Sequence, residues 1–172
     1  GYGQGECPCT ISMMPKTLYA EAKTDEELTS VGIARTGVEI EIINRDGHGV
    51  PAGEVGEIAV RSDIVMQGYL NLPDATRDVI VDGWLRTGDM GLLDDRGVLT
   101  LKDRSKDVII SGGSNIYPAE LEAVLLQLPG VSDVAVVAKP DADWGEVPVA
   151  YVVGTADVTP EALDTICLEN LA

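Results

Sequence analysis

The chain has 172 residues, 45% of them apolar and 24% charged, a composition that folds around a core rather than staying disordered. Its formal net charge of −17 argues against non-specific binding to nucleic acid or to an anionic membrane, because both need a basic surface. No apolar run reaches the roughly 20 residues that span a bilayer, and the first six residues, GYGQGE, are neither a signal nor a transit peptide.

Cys7 and Cys9 flank Pro8, a poor spacing for a disulfide, and His48 is the only histidine, so no zinc set forms. Cys7, Cys9 and Cys167 read as ordinary reduced thiols, which fits a cytoplasmic setting. Gly1 starts no element, and Leu171-Ala172 stops within an amphipathic pattern. The expectation is a fragment of a longer chain.

Residues 1–10 are glycine-rich, and a plain turn competes there with a backbone that approaches a ligand closely. Thr24 to Leu28 fits a short acidic helical turn capped by Thr24. Val38 to Ile42 and Gly56 to Arg61 alternate apolar and polar residues, and are expected to pair as an antiparallel ribbon. His48 falls in the turn between them and reads as solvated. Gly68 to Pro73 reads as an irregular connection, followed by a short helix from Asp74 to Val79. An Asp82-Gly83 turn then enters a strand, and a hairpin turn at 94–97 returns as Val98 to Leu101.

After Arg104 the character changes. Val108 to Ile110 is expected to be a short buried strand, and 111–115 a flexible polar loop. Pro118 opens a helix whose Leu121, Val124, Leu125 and Leu128 form one apolar stripe, with Glu120 and Glu122 near its positive end. Two apolar strands follow, around 134–138 and 149–153, joined by a loop over 141–146. Thr159 then caps a second helix with Leu163, Ile166 and Cys167 facing inward. The predicted fold class is α+β: a β-rich, distorted barrel-like subdomain, then a small and incomplete α+β domain.

The stretch from Trp84 to Glu122 joins the two and holds most of the polar candidates. Asp89, after Thr87-Gly88 and expected at a strand end, can accept hydrogen bonds from two vicinal hydroxyls, as acidic residues do on a ribose; a surface turn is the alternative. Arg104 can hold phosphate or ribose oxygens, or form a surface ion pair. Lys106 and Asp107 are either a solvated cluster or the place where two domains rotate. Glu6 can ligate Mg²⁺ or be a loop glutamate. Ser111-Gly112-Gly113 offers bare backbone to an extended ligand, or a flexible turn. With no Ser-His-Asp set and no nucleophile in view, any catalysis rests on positioning and electrostatics.

Five segments in order carry a resemblance: GYGQGE (1–6), GYLNLPDAT (68–76), DGWLRTGD (82–89), DRSKDVIISGGSNIYPAELE (103–122) and PDADWGEVPVAYVV (140–153). Together they resemble the adenylate-forming superfamily, most of all its acyl-CoA synthetases. The resemblance implies that residues 1–104 are the C-terminal part of the large AMP-binding domain, and 105–172 a truncated mobile domain hinged near Lys106. It implies ATP/AMP, Mg²⁺ and coenzyme A as cofactors and a carboxylic acid as substrate, with no nucleic-acid partner. Asp89 would bind the ribose hydroxyls, Arg104 would support the nucleotide, Glu6 would sit at Mg²⁺, and Tyr2 and Gly3 would lie near adenine and acyl group. Ser111, Gly112 and Gly113 would line the pantetheine channel. Two departures are Gly5, where a threonine is usual, and Asp103, where a glycine is common. The family's phosphate loop and its C-terminal catalytic lysine do not occur within the sequence, so the chain by itself is not expected to complete adenylation. A carrier-loading adenylation domain and a non-catalytic nucleotide-binding module are the competing expectations.

Overall fold

Alternating apolar residues pair into antiparallel ladders through the first three-fifths of the chain. The computed structural model describes residues 1–22, 24–155 and 157–171, with only the backbone of Cys9, Asp25 and Glu26. The expectations for the Cys9 thiol and for the break at Ala172 therefore lie outside the described residues. Two compact units are present, Gly1–Lys102 and Asp103–Ala172.

In the first unit, β1 (Tyr2–Gln4) and β2 (Cys7–Met13) form a hairpin, so the glycine-rich start is strand rather than open loop. Helices α1 (Lys16–Glu21) and α2 (Asp25–Thr29) follow. Glu27 N–H donates to Thr24 Oγ1 at 3.2 Å and Thr24 N–H to Glu27 Oε2 at 3.3 Å, a reciprocal capping box that starts α2. Then come β3 (Gly32–Ala34), β4 (Val38–Ile43), β5 (Gly56–Ser62), α3 (Pro73–Val79), β6 (Ile80–Val81), β7 (Trp84–Leu93) and β8 (Val98–Arg104), whose last two residues already count with the second unit.

β4 and β5 pair as expected, with Ile40 opposite Val60 and Ile42 opposite Ile58. Their buried faces join Tyr2, Cys7, Ile11, Leu85 and Leu99 in one core. The strand order β1-β2-β3-β8-β7-β5-β4 is an open path with β1 and β4 at its ends, so the sheet does not close like a barrel.

The second unit holds β9 (Ile109–Ser111), β10 (Ser114–Ile116), α4 (Pro118–Leu125), β11 (Val131–Asp141), β12 (Gly145–Gly154) and α5 (Pro160–Asn170). β9 and β10 replace the expected flexible loop with a tight hairpin. The long β11–β12 hairpin confines the expected 141–146 loop to its tip, where Asp141 Oδ1 accepts from the N–H groups of Asp143 and Trp144 at 2.9 and 3.0 Å. Ile109, Leu125 and Val136 form the core, with Leu163, Ile166 and Cys167 packed against it as the helix periodicity predicts. Thr159 Oγ1 accepts from Ala162 N–H at 3.3 Å and caps α5. Glu122 reaches β11 instead of solvent, its Oε1 accepting from Val136 N–H at 2.8 Å. Among the described residues no helix is long and apolar enough to cross a membrane.

Candidate functional site

The two carboxylates singled out in the first unit both sit at irregularities in the sheet. On β5, Glu57 pairs with Met90 and Ala59 with Arg86, so Ile58 faces Thr87, Gly88 and Asp89 together. The Thr-Gly-Asp run is therefore a bulge inside β7, not the end of a strand. The ladder resumes beyond it because Met90 and Gly91 pair again with Glu57 and Gly56. Such a bulge re-aims side chains that a regular strand would keep in alternation. Gly88 has φ +72°, a conformation glycine adopts without steric cost.

Thr87 anchors this bulge. It is buried, its Oγ1 donates to the Ile58 carbonyl at 2.8 Å and accepts from Asp89 N–H at 3.2 Å. Its hydroxyl is consumed in shaping the backbone. Gly88 N–H donates to Glu57 Oε1 at 3.1 Å, pinning the crest. Asp89 emerges half-buried, and its Oδ2 accepts from the Tyr2 hydroxyl at 2.7 Å. Tyr2 itself is buried, so the first and third sequence motifs meet through one hydrogen bond across 87 positions of sequence.

The second irregularity lies in the β1–β2 hairpin. Tyr2 pairs with Ser12 and Gln4 with Cys7, leaving Gly3 opposite an expanded stretch of β2. A Cβ on Gly3 would stand 3.2 Å from both Cα and N of Thr10, tighter than ordinary contact, which explains a residue without a side chain there. Glu6 occupies the turn of this hairpin. Its carbonyl accepts from Met66 N–H at 2.7 Å, and its Oε1 accepts from the Tyr69 hydroxyl at 2.7 Å. The hydrogen bond to Glu6, with burial and the nearby charge adding to it, pushes the Tyr69 phenol above its ordinary pKa and keeps the proton on the tyrosine.

Trp84, in the same motif as Asp89, lies under the Arg61 guanidinium, 4.5 Å from carbon to ring centroid. His48 is exposed in its turn, its N–H held by Asn44 Oδ1 at 3.0 Å. A cavity of about 210 Å³ lies beside Met14, Leu18, Asp94 and Arg96, and none of the predicted site residues lines it.

The remaining candidates belong to the second unit. Arg104 ends β8 and is exposed. Asp107 N–H donates to the Arg104 carbonyl at 3.0 Å, so Ser105 and Lys106 form the centre of a turn, with Lys106 exposed. Asp103 holds two backbone groups in place, its Oδ1 accepting from Arg104 N–H at 2.7 Å and its Oδ2 from Ala119 N–H at 3.1 Å. It thereby supplies the first turn of α4 with the cap that Tyr117 does not.

Ser111 pairs with Ser114, leaving Gly112 and Gly113 as a two-residue turn with φ +56° and +87°. Two successive positive φ values define the hairpin turn that glycines favour. Gly112 N–H donates to the Trp144 carbonyl at 2.9 Å, and Ile110 N–H donates to Glu146 Oε2 at 2.9 Å. The Gly-Gly turn is therefore braced by the β11–β12 tip.

In the sequence Tyr69 falls within an irregular connection. Its one signal there is a place inside the GYLNLPDAT motif; its partner is 63 positions away. Trp144 is legible only as part of a motif, with no hint that its ring packs on Gly112.

Among the described residues no three His, Cys, Asp or Glu side chains gather as a metal cage. Glu6 nonetheless suits a hard cation in one respect: Tyr69 occupies Oε1, while no described residue bonds Oε2. Mg²⁺ characteristically takes one or two carboxylates and completes its shell with phosphate and water. The donor set thus fits a cation brought in with a nucleotide, not a closed protein site.

A family model described as AMP-binding enzyme matches residues 1–70, and one described as AMP-binding enzyme C-terminal domain matches residues 120–172. The 2-succinylbenzoate–CoA ligase of Bacillus cytotoxicus is 52% identical over 130 residues, covering 76% of this chain and 27% of that protein. The long-chain-fatty-acid–CoA ligase FadD13 of Mycobacterium tuberculosis is 46% identical over 144 residues, covering 83% of this chain and 28% of that protein. Among solved structures, the o-succinylbenzoate CoA synthetase of Bacillus subtilis in complex with its acyl-adenylate intermediate superposes with TM-score 0.89 at 41% identity, over 99% of this chain and 34% of that one. The amide bond synthetase McbA of Marinactinospora thermotolerans gives TM-score 0.76 at 44% identity, over 84% of this chain and 30% of that one. The chain thus spans a little over a quarter of the length of these curated relatives.

Proposed function

The chain belongs to the AMP-binding enzyme family, and from that premise we propose that the whole protein is an AMP-forming ligase joining a carboxylic acid to coenzyme A. In the first half-reaction the carboxylate attacks the α-phosphate of ATP, giving acyl-AMP and pyrophosphate. In the second the CoA thiol attacks the acyl carbon and AMP leaves.

In this reading Asp89 grips the two ribose hydroxyls, with Tyr2 holding its other oxygen and Tyr2 and Gly3 lying near adenine and acyl group. Glu6 would hold Mg²⁺, which when bound offsets the charge of the phosphates. Arg104 supports the nucleotide. Lys106 serves as the hinge between residues 1–104 and 105–172, and Ser111 to Gly113 line the path of the pantetheine arm. The setting is the cytoplasm.

The observation that carries the reading is the bulge at Thr87-Gly88-Asp89. It aims one carboxylate out of the sheet, fixed at one oxygen by Tyr2 at 2.7 Å and bonded at its backbone to Thr87. A ribose diol needs a fixed carboxylate of this kind. The test is Asp89→Ala in the full-length protein. Loss of charge-assisted hydrogen bonds worth about 1.5–3 kcal/mol predicts roughly a 10- to 150-fold lower kcat/KM for ATP in pyrophosphate release. Unchanged pyrophosphate kinetics would remove Asp89 from the site.

The likeness to an amide bond synthetase favours one second reading, in which an amine takes the acyl group instead of CoA. Supplying CoA and simple amines separately to the adenylated enzyme distinguishes the two.

A further inference from the structure

We propose that Tyr69 is the positioning residue of the cation site, holding Oε1 of Glu6 so that Oε2 is presented to Mg²⁺. The inference rests on the reading of Glu6 as the Mg²⁺ carboxylate and adds to it a residue outside the glycine-rich motif.

The geometry is specific. The Tyr69 hydroxyl stands 2.7 Å from Glu6 Oε1, and both residues are half-buried. The backbone of the tyrosine is anchored, its N–H donating to Thr76 Oγ1 at 2.9 Å. That hydroxyl in turn donates to the Leu72 carbonyl at 2.9 Å, and Thr76 N–H donates to the same carbonyl at 3.0 Å, so the anchor is the first turn of α3. A second strut, Met66 N–H to the Glu6 carbonyl at 2.7 Å, ties the same connection to the glutamate backbone.

The connection between β5 and α3 thus grips the β1–β2 turn twice, once at backbone and once at carboxylate. A glutamate in a turn otherwise samples several rotamers, and fixing one costs about 1–2 kcal/mol of side-chain entropy. Tyr69 meets that cost before the cation arrives. The phenol is the donor of this pair, so Oε1 is taken up as its acceptor. Hydrogen bonding of a ligating carboxylate by an outer residue is a common way to orient a metal ligand.

The test uses the full-length protein, an ATP analogue with a non-cleavable α–β linkage, and Mn²⁺ as the probe, read by electron paramagnetic resonance. Tyr69→Phe keeps the ring and removes only the donor. We expect it to weaken Mn²⁺ binding about tenfold, the lower end of outer-residue effects. Glu6→Gln should weaken binding at least as much, and the double variant no more than Glu6→Gln, because Tyr69 acts through Glu6. Wild-type Mn²⁺ affinity in Tyr69→Phe alongside a weakened Glu6→Gln would overturn the inference while leaving the Glu6 reading in place. Additive losses in the double variant would also overturn it. Unchanged affinity in Glu6→Gln would overturn the Glu6 reading itself. Thermal unfolding of each variant identifies any loss that comes from misfolding, and Thr76→Ala provides a second route: loosening the anchor of Tyr69 should weaken Mn²⁺ binding in the same direction, and wild-type affinity there would count against the proposal.

Discussion

Gly112 and Gly113 look interchangeable in the sequence, yet the structure separates them. At Gly113, φ is +87° and no atom lies within 4 Å of an added Cβ; at Gly112, φ is +56° and the Cβ would lie 2.5 Å from Cε3 of Trp144. Gly113→Ala therefore meets only the left-handed backbone penalty, about 1–2 kcal/mol. Gly112→Ala meets a similar penalty plus overpacking against the indole, about 1–3 kcal/mol more. The same change would strain the 2.9 Å hydrogen bond from Gly112 N–H to the Trp144 carbonyl. Amide hydrogen exchange on the full-length protein, followed over β9 and β10, reads the difference directly. Each 1.4 kcal/mol is tenfold in the opening equilibrium, so Gly112→Ala should accelerate exchange of this hairpin at least fivefold beyond Gly113→Ala. A Trp144→Ala background should bring the two variants together. Equal exchange in the wild-type background would refute the claim that the indole braces the turn.

Lys106→Pro is expected to stiffen the 104–107 turn, because the proline ring fixes its own φ and restricts the backbone of the preceding Ser105. Pyrophosphate release should persist while thioester formation falls, and equal loss of both half-reactions would count against a hinge there. Asp94 offers a pH test. Burial raises its carboxyl, but hydrogen bonds from Val98 N–H and from Arg96 outweigh that and hold it below the ordinary value. A lowered folded pKa contributes stability above the unfolded value of about 3.9, lost as pH falls through the folded value. Asp94→Asn should therefore destabilise the β7–β8 turn at neutral pH, and the gap from wild type in urea unfolding should close in acid.

The ladder β4–β5, the inward face of α5, the Leu121, Val124 and Leu125 part of the α4 stripe and both Pro-started helices of the second unit were legible because each follows from local periodicity and capping, whereas Leu128 lies beyond the end of α4. The Thr24 cap was legible for the same reason. The bulge was not. Thr87-Gly88-Asp89 carries no periodic signature, and its shape depends on Ile58 and Glu57, some thirty positions earlier. The Gly-Gly turn read as flexible because its brace, Trp144, is distant in sequence. Asp89 and Glu6 were singled out by residue type and motif, while their hydrogen bonds to Tyr2 and Tyr69 required three-dimensional pairing. Asp103 looked like a departure from the family pattern and proves to cap α4.

Thioester synthesis through an acyl-adenylate is tested most directly on the full-length protein. Incubation with ATP, Mg²⁺, CoA and a series of aromatic and fatty carboxylic acids would quantify nucleotide and thioester together. The expected result is an acid for which AMP, pyrophosphate and acyl-CoA form in equal amounts, with acyl-AMP accumulating when CoA is withheld. Formation of ADP and phosphate instead, or turnover that requires an amine or a carrier protein in place of CoA, would contradict it.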